Sequence, residues 1–204
     1  ELVHIQKNAP SSKAAKKIPL RQLLINKPFL AIVAATFANN WSLFVFLSFL
    51  PKFIDNELGI GLESSTFVIL IIIPSLISVI ALNAGGYLAD SLIKSGIRVI
   101  KVRKTLNSIG FFGSAGCLFL IPFFESISMI IILICVTNLF TGAAAGGFGV
   151  NHADIGPNTT GTLVGIASTF GMIAGVVGNA VSGYVLDLSL IHISEPTRKL
   201  AISY

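Results

Sequence analysis

The chain has little charge: Asp, Glu, Lys and Arg make up 11% of its 204 residues, against about 25% in a soluble domain. So few charges cannot cover a water-facing surface. Cysteine is scarce too, and Cys117 and Cys135 both lie in apolar stretches, so we expect neither a disulfide framework nor a metal cluster. The sequence also lacks a nucleophile–base pair, a phosphate-binding loop and a cofactor motif, and we therefore expect no enzyme.

Instead, the sequence contains long apolar stretches without Lys, Arg, Asp or Glu. They are Phe29–Leu50, Thr66–Ala89, Ser108–Phe124, Ile127–Val150 and Gly161–Leu186. A helix of about 20 residues crosses the ~30 Å hydrocarbon core of a bilayer, and a charge at its centre costs at least ~2.5 kcal/mol. The pattern predicts an all-α, multi-pass membrane protein with five transmembrane helices, in a membrane whose identity the sequence leaves open.

The segments between these stretches differ in charge. Residues 1–27 and Asp90–Lys104 are mostly basic, whereas Pro51–Glu63 is mostly acidic. Cytosolic loops of membrane proteins carry an excess of Lys and Arg. We therefore expect a cytosolic basic linker at 1–27, a cytosolic second loop and a first loop on the opposite side. The net charge of +5 follows from these segments, and we expect no nucleic-acid partner.

Both ends of the chain have unusual features. It starts with Glu rather than Met and with a polar segment, so we expect a fragment of a longer protein. Leu188–Arg198 and Ile202–Tyr204 resemble the in-frame translation of a transposase adapter used to prepare sequencing libraries. We expect residues 188–204 to be a non-native tail and residues 28–187 to be the membrane domain.

Polar residues interrupt the first apolar stretch at Asn39, Asn40 and Trp41. Buried amides need hydrogen-bond partners or water, and adjacent helical residues point about 100° apart. A polar cavity is therefore favoured at this depth, with hydrogen bonds between packed helices as the alternative.

Two further motifs carry charge. Gly85 and Gly86 precede Asp90, and Arg103 and Lys104 follow across a short loop. An acid and a base so placed can pair in one conformation and separate in another. The alternative is a helix end with charges that only orient the protein.

The second of these motifs is Asn151–Pro157, which contains His152 and Asp154. A histidine can exchange a proton near neutral pH, and Asp154 can pair with His152 or with the loop Asp90–Lys104. The alternative is a polar cap that ends the helix before Pro157.

Taken in order, these motifs resemble one family. They are Asn40-Trp41, Gly85-Gly86 with Ala89-Asp90, Val102-Arg103-Lys104, Ser108–Phe111, Asn151-His152 with Asp154–Pro157, and Gly161–Leu163. The chain resembles the anion:cation symporter family of the major facilitator superfamily, which includes sialin, vesicular glutamate transporters, type I phosphate transporters and plastid anion transporters.

The resemblance implies helices seven to eleven of twelve and a missing amino-terminal half. It also implies secondary transport of a small anion (phosphate, glutamate, ascorbate or an acidic sugar), coupled to H⁺, Na⁺ or membrane potential by alternating access. The expected partners are the anion, the coupling ion, membrane lipid and the missing half, with no cofactor. A receptor or scaffold with the same fold is the alternative.

From the motifs and the resemblance together we expect two sets of functional residues. The substrate path comprises Asn39, Asn40, Trp41, Asn151 and His152. The conformational gate comprises Gly86, Asp90, Arg103, Lys104 and Asp154.

Overall fold

The computed structural model describes residues 25–56, 58–61 and 63–201, with side chains as far as residue 188. This part of the chain is helical and contains no β-strand. The helices are α1 (Lys27–Asn56), α2 (Ser65–Lys94), α3 (Val99–Leu120), α4 (Ile127–Ala144), α5 (Asn151–Ile155) and α6 (Thr160–Ala201). A 3₁₀ turn, Ile121–Phe123, extends α3, and a π-helical turn, Ala145–Gly149, extends α4.

Within the described residues, five helical segments are long and apolar enough to cross a membrane. They are Lys27–Asn56, Ser65–Lys94, Val99–Phe123, Ile127–Ile155 and Thr160–Leu188. Large apolar side chains point outward on these segments, and Phe112 and Val176, for example, are 79% and 72% exposed. The prediction of an all-α, multi-pass membrane protein is confirmed.

The loops are shorter than predicted. The structure places Pro51–Asn56 within α1, Asp90–Lys94 within α2, and the charged residues of 99–104 in the first turns of α3. α1 and α2 have 30 residues each, or about 45 Å, which exceeds the ~30 Å hydrocarbon core. Charged end turns can therefore be helical and still reach the headgroup region, and loop boundaries drawn at the first charge were wrong.

A tight turn reverses the chain between α2 and α3. Gly96 has φ +92°, a left-handed conformation that glycine adopts readily, and its N–H donates to the carbonyl of Ile93 at 3.0 Å. At the far end of the chain, the backbone of α6 continues past Asp187 to Ala201. The origin of residues 188–204 stays a prediction, and residues 1–24 of the predicted linker lie outside the described residues.

The helices pack in two groups. α2 and α3 both pack against α4, and α1 packs against α6. A cleft separates α1 from α3 and α4, and it holds cavities at several depths. The residues predicted to be functional that line these cavities are Asn39, Trp41, Arg103, Lys104, Asn151 and Asp154.

Candidate functional site

Basic residues collect at one end of the bundle, where α1 and α3 begin and α2 and α4 finish. We call this the basic end; its cationic residues are Lys27, Lys94, Arg98, Lys101, Arg103 and Lys104. Lys94 is the last residue of α2, Arg98 directly precedes α3, and the first turns of α3 supply the others apart from Lys27.

Arg103 is the most buried of these cations, with 8% of the residue exposed. Its Nε donates to Oδ2 of Asp154 at 2.8 Å, and its Nη1 donates to the carbonyl oxygen of Gly146 at 2.7 Å. The planar guanidinium suits such paired donation. Arg103 thereby ties α3 to the π-helical turn and to α5, so Asp154 pairs with Arg103 rather than with His152.

The π-helical turn approaches α3 very closely at Gly147. A Cβ on Gly147 would lie 2.8 Å from the amide nitrogen of Asn107 and 2.9 Å from the carbonyl oxygen of Arg103. Those atoms belong to the backbone and cannot rotate away. Glycine at this position therefore lets the turn lie against α3, close enough for Gly146 to accept from Arg103.

His152 on α5 is buried, with 6% exposed. Its Nδ1 lies 3.1 Å from the carbonyl oxygen of Gly149. A carbonyl can only accept, so Nδ1 carries the hydrogen and Nε2 of the neutral ring is an acceptor. Nε2 is buried and has no hydrogen-bond partner among the described residues. His152 does not line the cavities described below, in contrast to its neighbour Asn151.

The adjacent amides of α1 have different surroundings. Asn39 lines a cavity of about 200 Å³ between α1, α3 and α4. Asn40 turns towards α6: its Nδ2 donates to the carbonyl of Thr36 at 2.9 Å, and it packs against Gly171. Trp41 packs against Gly178 on α6. Both interpretations of this motif therefore apply, the cavity to Asn39 and helix packing to Asn40.

The cavity beside Asn39 lies near the middle of the helices, and the polar groups that line it are all uncharged. Its polar lining residues are Asn39, Ser42, Ser114, Thr137, Asn138 and Thr141. The hydroxyls of Ser114 and Thr141 lie 3.2 Å apart, and Asn138 Nδ2 donates to the carbonyl of Ile134 at 2.9 Å. Among the described residues, no carboxylate or cationic side chain lines this cavity.

A larger cavity of about 560 Å³ opens at the basic end, and we call it the basic-end cavity. Its polar lining residues are Lys27, Arg103, Lys104, Asn107, Asn151 and Asp154. Sequence analysis missed Lys27 and Asn107. The sequence spacing could have indicated Asn107, because it follows Arg103 by four residues and therefore lies on the same face of the helix.

The predicted gate residues on α2, Gly86 and Asp90, do not make the contacts that the gate prediction assigned to them. Gly85, not Gly86, makes the close helix contact, since a Cβ on Gly85 would meet the backbone of Gly142 whereas one on Gly86 would meet nothing within 4 Å. Asp90 is exposed and forms no ion pair with any described residue.

Comparison with known proteins gives consistent matches. Residues 3–179 match the sequence model of the Major Facilitator Superfamily. The chain is 33% identical to "Sodium-dependent phosphate transport protein 1, chloroplastic" of Arabidopsis thaliana, over 90% of the chain and 35% of that protein. It is 32% identical to "Ascorbate transporter, chloroplastic" of the same plant, over 83% of the chain and 31% of that protein.

A third relative is "Probable anion transporter 6" of Oryza sativa subsp. japonica. It is 36% identical over 84% of the chain and 40% of that protein. The chain thus spans about a third of the length of the curated relatives it matches.

Proposed function

The chain belongs to the major facilitator superfamily, as its motifs predicted, and we propose that it takes part in secondary transport of a small anion. Membership of a superfamily of transporters agrees with the expectation that the protein is not an enzyme. The relatives carry names for phosphate, ascorbate and anion transport, and the proposed substrate is of this class. By the same resemblance, the spans correspond to helices seven to eleven of twelve.

The observation that carries the proposal is the cavity beside Asn39. An anion near the middle of a membrane needs hydrogen-bond donors and the absence of carboxylates. The amide of Asn39 and the hydroxyl of Ser42 offer donors there, and none of the described acidic residues lines the cavity. Because no cation lines it either, this part of the chain can hold an anion without a fixed ion pair, which favours release.

The ion pair at the basic end is the proposed gate. Arg103 holds α3, the π-helical turn and α5 together through Asp154 and the carbonyl of Gly146. In the proposed cycle, opening of the basic end separates α3 from α5 and lengthens these bonds, and closing restores them. Alternating access by movement of helix groups around a central site is the general behaviour of such transporters. The coupling ion would be H⁺ or Na⁺, or membrane potential would drive the movement.

We propose different roles for the residues expected to be functional. Asn39 lines the cavity near the middle of the helices and is the proposed substrate-path residue, whereas Asn151 lines the cavity at the basic end, beside the proposed gate. Asn40 and Trp41 act through the packing of α1 on α6, and Trp41 also lines a second cavity of the cleft. His152 is buried, and we propose that its Nε2, which has no partner among the described residues, contributes to the conformational change at the basic end.

Uptake into proteoliposomes tests this function. We would reconstitute the full-length protein, impose an inward Na⁺ or H⁺ gradient or a potential, and measure accumulation of labelled phosphate, glutamate, ascorbate and an acidic sugar. We expect at least one of these anions to accumulate. We expect Asn39→Ala to reduce the rate at least tenfold, because it removes the cavity's central amide.

Asn83→Ala is the matched control, because Asn83 is an exposed amide on α2 that bonds only to the carbonyl of Val79 on its own helix. It should leave uptake unchanged. Equal losses in both variants would remove Asn39 from the substrate path. Saturable binding of an anion without accumulation under any gradient would favour the receptor alternative.

A further inference from the structure

The basic-end cavity has two kinds of wall. One part is apolar and is formed by Pro28, Ala31, Ile32, Val99, Ile100 and Phe148. The other is the set of charged and amide side chains described above. The cavity exists because α1 packs against α6 while α3 packs against α4, which leaves the first turns of α1 and α3 apart.

The positive charge of this cavity is only partly compensated. Asp154 also lines it, and its Oδ2 accepts from Arg103. Lys27 and Lys104 line the same cavity and form no ion pair with any described residue. The amides of Asn107 and Asn151 add hydrogen-bonding capacity beside them. The cavity therefore offers two unpaired ammonium groups to an anion.

Size and depth indicate what kind of anion fits. A volume of about 560 Å³ falls within the roughly 300–1,000 Å³ of sites for organic ligands, which is more room than an inorganic ion requires. Lys27 is the first residue of α1 and Lys104 lies in the second turn of α3, at the level of lipid headgroups. On α1 the apolar wall continues from Lys27 through Pro28, Ala31 and Ile32, in the direction in which an acyl chain enters the membrane.

We propose that the basic-end cavity binds one anionic phospholipid. The phosphate lies between the ammonium groups of Lys27 and Lys104, and the glycerol and upper acyl chain lie against Pro28, Ala31 and Ile32. Basic pockets between membrane helices are known to take anionic headgroups. The bound lipid bridges α1 and α3, which have little direct contact at this end.

Native mass spectrometry of the purified, delipidated full-length protein tests the proposal. We would titrate phosphatidylglycerol and phosphatidylcholine with identical acyl chains and compare their affinities. We expect phosphatidylglycerol to bind at least tenfold more tightly to one site. Lys27→Gln with Lys104→Gln should abolish this preference, since each lysine near a headgroup contributes about fivefold.

Two matched controls accompany this experiment. Lys52→Gln removes the same charge at the opposite end of α1, where Lys52 lies over the ring of Phe49, and should keep the preference. Ala31→Trp fills the cavity and should prevent lipid binding, whereas Ala34→Trp, exposed on the same helix but outside the cavity, should not.

Several results would overturn the proposal. Equal affinities for the two lipids in the wild-type protein would do so, whether or not any variant folds. The proposal would also be overturned if Lys52→Gln and the double variant lost the preference for phosphatidylglycerol to the same extent. Displacement of the lipid by millimolar inorganic phosphate would indicate a site for free anions instead. If Ala31→Trp lowers the melting temperature and leaves the lipid preference intact, a protein segment rather than a lipid occupies the cavity.

Discussion

The two helix interfaces use glycine in different ways. At the α2–α4 interface, a Cβ on Gly85, Gly142 or Gly146 would meet backbone atoms of the facing helix. At the α1–α6 interface, a Cβ on Gly175 or Gly178 would meet the rings of Phe44 or Trp41. Close approach of small residues drives helix association in membranes. Backbone against backbone leaves no freedom to adjust, whereas a ring can rotate, so the first interface should be rigid and the second adaptable.

The largest effect should come from Gly142→Ala. The added methyl would enter the backbone of Ala81, and neither helix can yield without moving as a whole. Overpacking of this kind should lower the free energy of unfolding by about 3 kcal/mol. Unfolding in mixed micelles measures it.

Gly116→Ala on α3 is the control, because its Cβ would meet nothing within 4 Å; we expect that variant to be unchanged or slightly more stable. If the two variants were equally stable, the α2–α4 interface would not be rigid.

A smaller loss is expected from Arg103→Leu. Gly146 touches Gly85 across the α2–α4 interface and also accepts from Arg103, so the side chain anchors one end of that interface. Its loss leaves the carbonyl and Asp154 unpaired. Because Asp154 is about one-third exposed, we expect a cost of about 2 kcal/mol rather than the larger cost of a fully buried pair.

Lys101→Leu is the control for Arg103→Leu, since Lys101 is exposed and forms no ion pair with a described residue. In uptake assays, Arg103→Leu should also weaken gating, so that substrate leaks through the proposed site more readily. Wild-type stability and wild-type uptake together would show that the ion pair neither anchors the interface nor gates it.

Gly175→Ala tests the adaptable interface. The methyl would press on the ring of Phe44, which can rotate, and the expected loss is about 1 kcal/mol. Gly165→Ala on the same helix has open space and should be neutral or mildly stabilising. A loss as large as that of Gly142→Ala would show that the α1–α6 interface is as rigid as the other.

The smallest change should come from Gly86→Ala. Gly86 lies inside α2 with nothing near its Cβ position, and replacing a helical glycine by alanine stabilises by about 0.5 kcal/mol. We expect slightly higher stability and normal uptake. Higher stability with lost uptake would mean that Gly86 makes a close helix contact in another conformation. The prediction that Gly86 belongs to the gate requires such a contact.

Much of the fold could be predicted from the sequence. The uncharged apolar stretches located each membrane helix, because the cost of charge in lipid is large and local. The ends of the helices could not be placed in this way. Charged residues such as Lys101 and Lys104 are helical in α3, since a helix continues into the headgroup region where their charges are solvated.

The candidate site could be predicted only in part. Composition and motifs pointed to Arg103, Asp154 and Asn39, and they left Asp154 two possible partners, His152 or the loop Asp90–Lys104. Only the packing of the helices selects Arg103 from that loop, 51 positions away from Asp154. Asn39 and Asn40 have the same side chain, and only the positions of α3 and α6 separate their surroundings. The π-helical turn had no signal beyond a run of small residues, which is equally typical of an ordinary packed helix.

The π-helical turn also sets the direction in which the side chains of the following helix, α5, point. A turn with i→i+5 bonding contains one more residue than an α-helical turn, and a single residue rotates later side chains by about 100°. Asp154 faces Arg103, and Asn151 faces the basic-end cavity, only with this extra residue in place. Removal of one glycine from Ala145–Gly149 would therefore keep every side chain of α5 and yet present the wrong face of it to α3. The register of this segment carries as much functional information as its composition.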